Sequence, residues 1–136
     1  MSNFIYGKAK QAFLNGLIDI SNDQIDIIFV GDGYVPSVNS DEFVSHIQQS
    51  NIKSHAINLA NVSNTLGVID ANDVFVVQYS GGAFKAIVIF AQGTSAANSR
   101  LIAYIDTSEG LPFLGTNEPV DITIAWNNSV NKIISI

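Results

Sequence analysis

The sequence predicts a mainly β fold, an antiparallel sandwich or barrel-like β domain with one N-terminal helix and room for a second short helix. Three observations predict it. From about residue 52 onward, apolar residues recur mostly with a period of two. Polar and glycine clusters such as Ser80-Gly81-Gly82 and Asn127-Asn128-Ser129 cut that pattern into short runs. Hydrophobic residues make up 47% of the 136 and charged residues only 13%, against roughly 25% charged in an average soluble domain, so one domain over 1–136 with a sizeable core is expected and disorder is not.

The first element is a helix over about residues 4–15. Tyr6, Ala9, Ala12 and Phe13 share one helical face, with Lys8, Lys10 and Gln11 largely off it. Asn15-Gly16 supplies a stop, because glycine enters the left-handed region without a Cβ penalty. Residues 25–30 then alternate and become apolar on both faces, the pattern of an internal strand, which Gly31-Asp32-Gly33 ends. A second short helix is expected to begin near Asn39. Asn39 would cap it with Glu42 at the third helical position, and Phe43, Val44 and Ile47 would face inward.

The rest reads as strands at 54–59, 66–70, 74–79, 84–91, 100–106, 121–126 and 132–136. Two hairpins are expected, one through Ser80-Gly81-Gly82 and one through the polar residues between Trp126 and Lys132. The last strand runs to Ile136, and an apolar end of this kind is expected to be tied into a sheet.

Composition bounds the chemistry. Only six Lys and Arg are present, scattered at Lys8, Lys10, Lys53, Lys85, Arg100 and Lys132, on a chain of net charge −6. Phosphate backbones and anionic lipid surfaces need clustered cations, so neither nucleic acid nor a membrane is an expected partner. No apolar run approaches the roughly 20 residues of a membrane span, and no signal-peptide pattern opens the chain. The absence of cysteine removes disulfides, thiolate nucleophiles and cysteine-ligated zinc.

Reactive constellations are thin. His46 and His55 make neither an HxH nor an HExxH spacing, and no Gly-x-Ser-x-Gly elbow is present. Asp19, Ser21, Asp23 and Asp26 form an oxygen-rich stretch, but the glycine and the closing glutamate of a calcium loop are missing, and a polar turn is expected there. Gly31-Asp32-Gly33 lacks the lysine of a phosphate loop. Asp106 and Glu109 flank a single turn, where two carboxylates rarely converge across a cleft. Trp126 and the tyrosines Tyr6, Tyr34, Tyr79 and Tyr104 offer either core rings or a sugar platform. No catalytic residue, metal or cofactor is expected.

Two stretches carry a family resemblance. One is Tyr6-Gly7-Lys8-Ala9-Lys10-Gln11-Ala12-Phe13-Leu14-Asn15-Gly16, with Ile18-Asp19 and the apolar run over 25–30 after it. The other runs from Arg100-Leu101-Ile102-Ala103-Tyr104-Ile105-Asp106-Thr107 through Gly110-Leu111-Pro112. It closes with Asp121-Ile122-Thr123-Ile124-Ala125-Trp126-Asn127-Asn128 and Asn131-Lys132-Ile133. Together they resemble small virion structural proteins of tailed bacteriophages, the capsid cement or decoration family. The chain departs from that pattern at Gly31-Asp32-Gly33 and at Leu17, where an acidic residue is common.

The resemblance implies a non-enzymatic virion component that stabilises the head by bridging major capsid subunits. A tail or head-fibre protein, or a carbohydrate-binding module, is the alternative. It implies major capsid protein or other virion subunits as partners, a homo-oligomer (a trimer by analogy with local three-fold sites), and assembly in the host cytoplasm. Phe4, Ile5 and Tyr6 are then the candidate partner contacts, unless they fold back onto their own sheet.

Overall fold

Ile25–Val30 and Ala86–Ala91 are buried at every position, so both faces of the sheet they form are covered. The run Ile-Asp-Ile-Ile-Phe-Val explains why: it offers apolar side chains to both faces of the pleat. The structure, a computed structural model, describes residues 3–108, 110–126 and 133–135. In chain order the elements are β1 (Phe4–Ile5), α1 (Gly7–Leu14), β2 (Ile25–Val30), two 3₁₀ turns (Val44–His46 and Gln49–Asn51), β3 (Ile57–Asn58), β4 (Ser63–Thr65), β5 (Val68–Asp70), β6 (Val74–Tyr79), β7 (Ala86–Ala91), β8 (Arg100–Ile105), β9 (Val120–Ile124) and β10 (Ile134–Ser135). The fold is mainly β and sandwich-like, with one α-helix among the described residues and antiparallel pairing throughout.

The central sheet has the order β1-β8-β7-β2-β3, with smaller sheets β10-β5-β4 and β6-β9 beside it. Cross-strand partners share a face. Phe4, Tyr104, Val88 and Ile28 therefore make one row, and Ile105, Ile87 and Phe29 make the next row on the opposite face. On the second face Phe29 stacks on Phe84 with centroids 4.1 Å apart, and Tyr79 and Phe113 complete an aromatic cluster. Tyr79 comes from β6, so this cluster joins the β6–β9 ribbon to the central sheet. On the first face Phe4 stacks on Tyr104 at 5.2 Å, and Tyr34 meets Tyr104 edge-on.

Helix α1 begins later than its periodicity predicts. Phe4 and Ile5 are strand, paired with Tyr104 and Ala103, and the Tyr6 N–H donates to the Ile102 carbonyl. Pairing with a strand about a hundred residues away wins over local helical spacing. The predicted stop does form. The Gly16 N–H bonds the Phe13 carbonyl and the Leu17 N–H bonds the Ala12 carbonyl, with Gly16 at φ +72°.

The second helix near Asn39 does not form as read. Two single 3₁₀ turns replace it, and Glu42 is not part of a capping box with Asn39. Its carboxylate instead reaches Arg100 at 3.1 Å, its carbonyl accepts from Leu101, and Phe43 bridges Arg100. Tethered to β8, this backbone stays extended. Val44 and Ile47 are nevertheless buried, as expected of them.

The hairpin expected at Ser80-Gly81-Gly82 does not form. After Ser80-Gly81-Gly82 the chain crosses between sheets, because β6 pairs with β9 while β7 pairs with β2 and β8. The turn is anchored elsewhere: Tyr79 Oη bonds the Gly82 carbonyl at 2.8 Å and the Lys53 carbonyl at 3.2 Å. A side chain at Gly81 would meet that Lys53 oxygen at 2.0 Å, so only glycine fits without a shift. The second expected hairpin turns through residues between Trp126 and Lys132 that lie outside the described residues; among the described residues β9 pairs with β6 and β10 with β5. The strand expected over 54–59 shortens to β3, and β4 was not foreseen.

Asp26 is a carboxylate buried in β2, 2% exposed. The amides of Asn58, at 3.1 Å, and Gln24, at 3.2 Å, compensate its desolvation. Asn58→Ala should cost about 1–3 kcal/mol, since a buried acceptor loses a donor. Urea denaturation checks this, and an unchanged midpoint would mean the amide is dispensable.

Candidate functional site

The three residues singled out for partner contact divide. Tyr6 is fully buried and so presents no surface. Phe4 and Ile5 are half-buried on the β1 edge, where they line an open depression of about 420 Å³ with Lys10, Val38 and Tyr104.

Behind them lies a buried polar chain. Tyr34 donates to Asp41 Oδ2 at 2.7 Å, so the 2.8 Å contact between the Tyr6 and Tyr34 hydroxyls must use the Tyr6 proton. The Ser37 N–H also donates to Asp41 Oδ2, at 2.9 Å. Burial raises the pKa of Tyr34, with Tyr6 and Asp41 adding to it. Burial likewise raises that of Tyr6, and the charge of Asp41 works the same way. The Tyr104 hydroxyl is buried without a hydrogen-bond partner of normal geometry among the described residues. Its pKa is raised first by burial and then by the charge of Asp106. Such a set of hydroxyls stays protonated and holds the first face together. It offers no base or nucleophile to solvent.

Most of the remaining chemical candidates make local structural contacts. His46 Nδ1 accepts from the Glu42 N–H at 2.9 Å, which closes the first 3₁₀ turn. His55 is exposed and nine positions further along. Asp19 accepts from the Asn22 amide and the Ser21 N–H, and those bonds, the Asn22 one first, hold its pKa below the usual carboxylate range. That is the polar turn expected of the 19–26 stretch. At the Gly31-Asp32-Gly33 exit, a Cβ on Gly33 would meet Asn51 Oδ1 at 2.3 Å. Glycine there leaves room for the Asn51 side-chain amide. Tyr104 is buried and Trp126 half-buried, the Trp126 indole donating to the Asn72 carbonyl at 2.9 Å. Among the described residues no group of three or more His, Asp or Glu side chains is placed to hold a metal ion. No helix among them is long and apolar enough to cross a membrane.

No protein-family model, curated protein or solved structure matches this chain.

What the sequence reading missed is an exposed apolar set. Phe75 and Val77 point out of the β6–β9 ribbon, 71% and 73% exposed. Leu66 is 98% exposed at the tip of the β4–β5 hairpin. Its φ is +53° and that of Gly67 is +83°, a two-residue turn that normally favours Asn-Gly. A leucine is unfavourable there on two counts: its backbone is strained and its side chain is solvated. The only warning in the sequence was the Leu66-Gly67 pair itself.

Proposed function

We propose that this protein is a capsid cement, or decoration, protein of a tailed bacteriophage, acting as a homo-oligomer, by analogy a trimer, that bridges neighbouring major capsid subunits. The observation that carries the reading is Leu66. Neither its own core nor its backbone conformation favours a leucine at that tip, and burial against a second protein would offset the cost of exposing it. Phe75 and Val77 supply further apolar area of the same kind. The resemblance of the two quoted stretches to virion structural proteins names the class of partner.

In this reading the chain performs no catalysis. Its work is to exclude water between shell subunits, and many copies on one lattice turn modest contacts into strong attachment. The test mixes purified protein with phage heads lacking a decoration layer, followed by sedimentation and cryo-electron microscopy. A regular outer layer and a higher head-rupture temperature are expected, with Leu66→Asn reducing occupancy while keeping the fold. Failure to bind heads overturns the capsid assignment, and binding confined to tails transfers the protein to the tail.

A further inference from the structure

Strand β6 reads Val-Phe-Val-Val-Gln-Tyr, without charge or proline. Among the described residues it pairs only with β9, and no described strand covers its other edge. Half of the N–H and C=O groups of a strand point to each side, so an open edge presents a row of unpaired donors and acceptors. Soluble proteins usually blunt such an edge with lysine, proline or a covering loop. Here the strand has neither residue; its one irregularity is a register shift between Val76 and Tyr79, with Gln78 at φ +52°, and a groove of about 380 Å³ runs beside that stretch.

The opposite wall of the groove is the segment leading into β3, with Lys53, Ser54, His55 and Ile57. At one end the groove is closed where Tyr79 Oη bonds the Lys53 carbonyl. Charge decides what fits. The chain carries −6, yet the lining of this groove includes Lys53 and His55 and no carboxylate. The Lys53 ammonium donates to the Ser50 carbonyl at 3.0 Å and pairs with no carboxylate among the described residues.

We propose that this groove docks an extended acidic segment of another protein, which adds as a strand to the open edge of β6 and sets its carboxylates against Lys53 and His55. Backbone pairing supplies affinity, and the Lys53 charge supplies selectivity. The inference is independent of the virion reading, since it rests on this edge and this charge pattern alone.

The experiment uses the isolated full chain, ¹⁵N-labelled, titrated with a capped peptide of alternating threonine and valine bearing two glutamates, and with its lysine counterpart. The amides of Val76 and Val77 should shift with the glutamate peptide, the one facing the open side gaining protection from hydrogen exchange, while the Gln78 N–H, already held by Asp121 Oδ1 at 2.9 Å, should gain none. The lysine peptide should bind about fivefold more weakly, the scale of an exposed charge pair. Lys53→Glu should reverse that preference while leaving the circular dichroism unchanged. Equal binding of both peptides, or shifts that avoid β6, would overturn the proposal. So would concentration-dependent shifts of the same amides without peptide, which would give the edge to a second copy of the chain. No phage particle enters this assay, so its outcome and that of the decoration assay are read separately.

Discussion

Between about pH 9 and about pH 11 the stability of the fold is expected to drop by about 4 kcal/mol, from three tyrosines that keep their protons only when folded. Tyr6, Tyr34 and Tyr104 all have pKa values raised well above the ordinary value, burial being the first cause in each. The unfolded chain sheds these protons near its ordinary tyrosine value of about 10, while the folded chain retains them. Above that point the unfolded state binds fewer protons, so stability falls as pH rises. The contribution is complete below about pH 10 and is lost progressively toward the raised folded values. Each tyrosine accounts for about 1.4 kcal/mol over this interval. Urea denaturation across the range, followed by circular dichroism and tyrosinate absorbance together, is the measurement. Both signals should change in one transition. Tyr104→Phe should remove about a third of the drop at little cost near neutrality, because its hydroxyl makes no hydrogen bond of normal geometry with the described residues. Tyrosinate absorbance rising for all four tyrosines near pH 10, with the fold intact, would refute the account.

The same tyrosines mark where the sequence was readable and where it was not. The limits of β2 and β6 were legible because each stands between clear turn residues and carries an unmistakable apolar pattern. The inward face of α1 was legible too, since Ala9 and Ala12 are buried. Pairing was the failure. Val74 finds Ile124 and Phe4 finds Tyr104, partners that local periodicity cannot name. The hairpin expected at Ser80-Gly81-Gly82 failed for this reason. The link from Tyr34 to Asp41 was equally hidden, because nothing in the intervening residues announces a buried carboxylate partner. Of the three residues proposed for contact, Tyr6 went inside, since its hydroxyl had Tyr34 to meet and its ring met Phe4 edge-on. Leu66 was read as the start of a strand. Its positive φ puts it in the turn instead, and the side chain follows the turn into solvent.

Phe29→Ala should cost about 3–5 kcal/mol, the range for removing a fully buried aromatic ring. Its ring lies in the middle of the central sheet, stacked 4.1 Å from Phe84 and edge-on to Tyr79 at 5.4 Å. Neighbouring rings cannot collapse freely into the vacated space. Phe84 is held by Phe113, and Tyr79 is held by its bonds to the Lys53 and Gly82 carbonyls. The hole therefore persists, and the attachment of the β6–β9 ribbon weakens with it. Phe75→Ala is the control on the same ribbon. That side chain faces solvent, so its loss should change folding stability by no more than about 0.5 kcal/mol. Thermal and urea unfolding of both variants makes the comparison. A small effect at Phe29 would mean the ribbon is not anchored through these rings. A large effect at Phe75 would mean its ring already has a partner within the folded chain, and the apolar surface offered to a second protein would shrink accordingly.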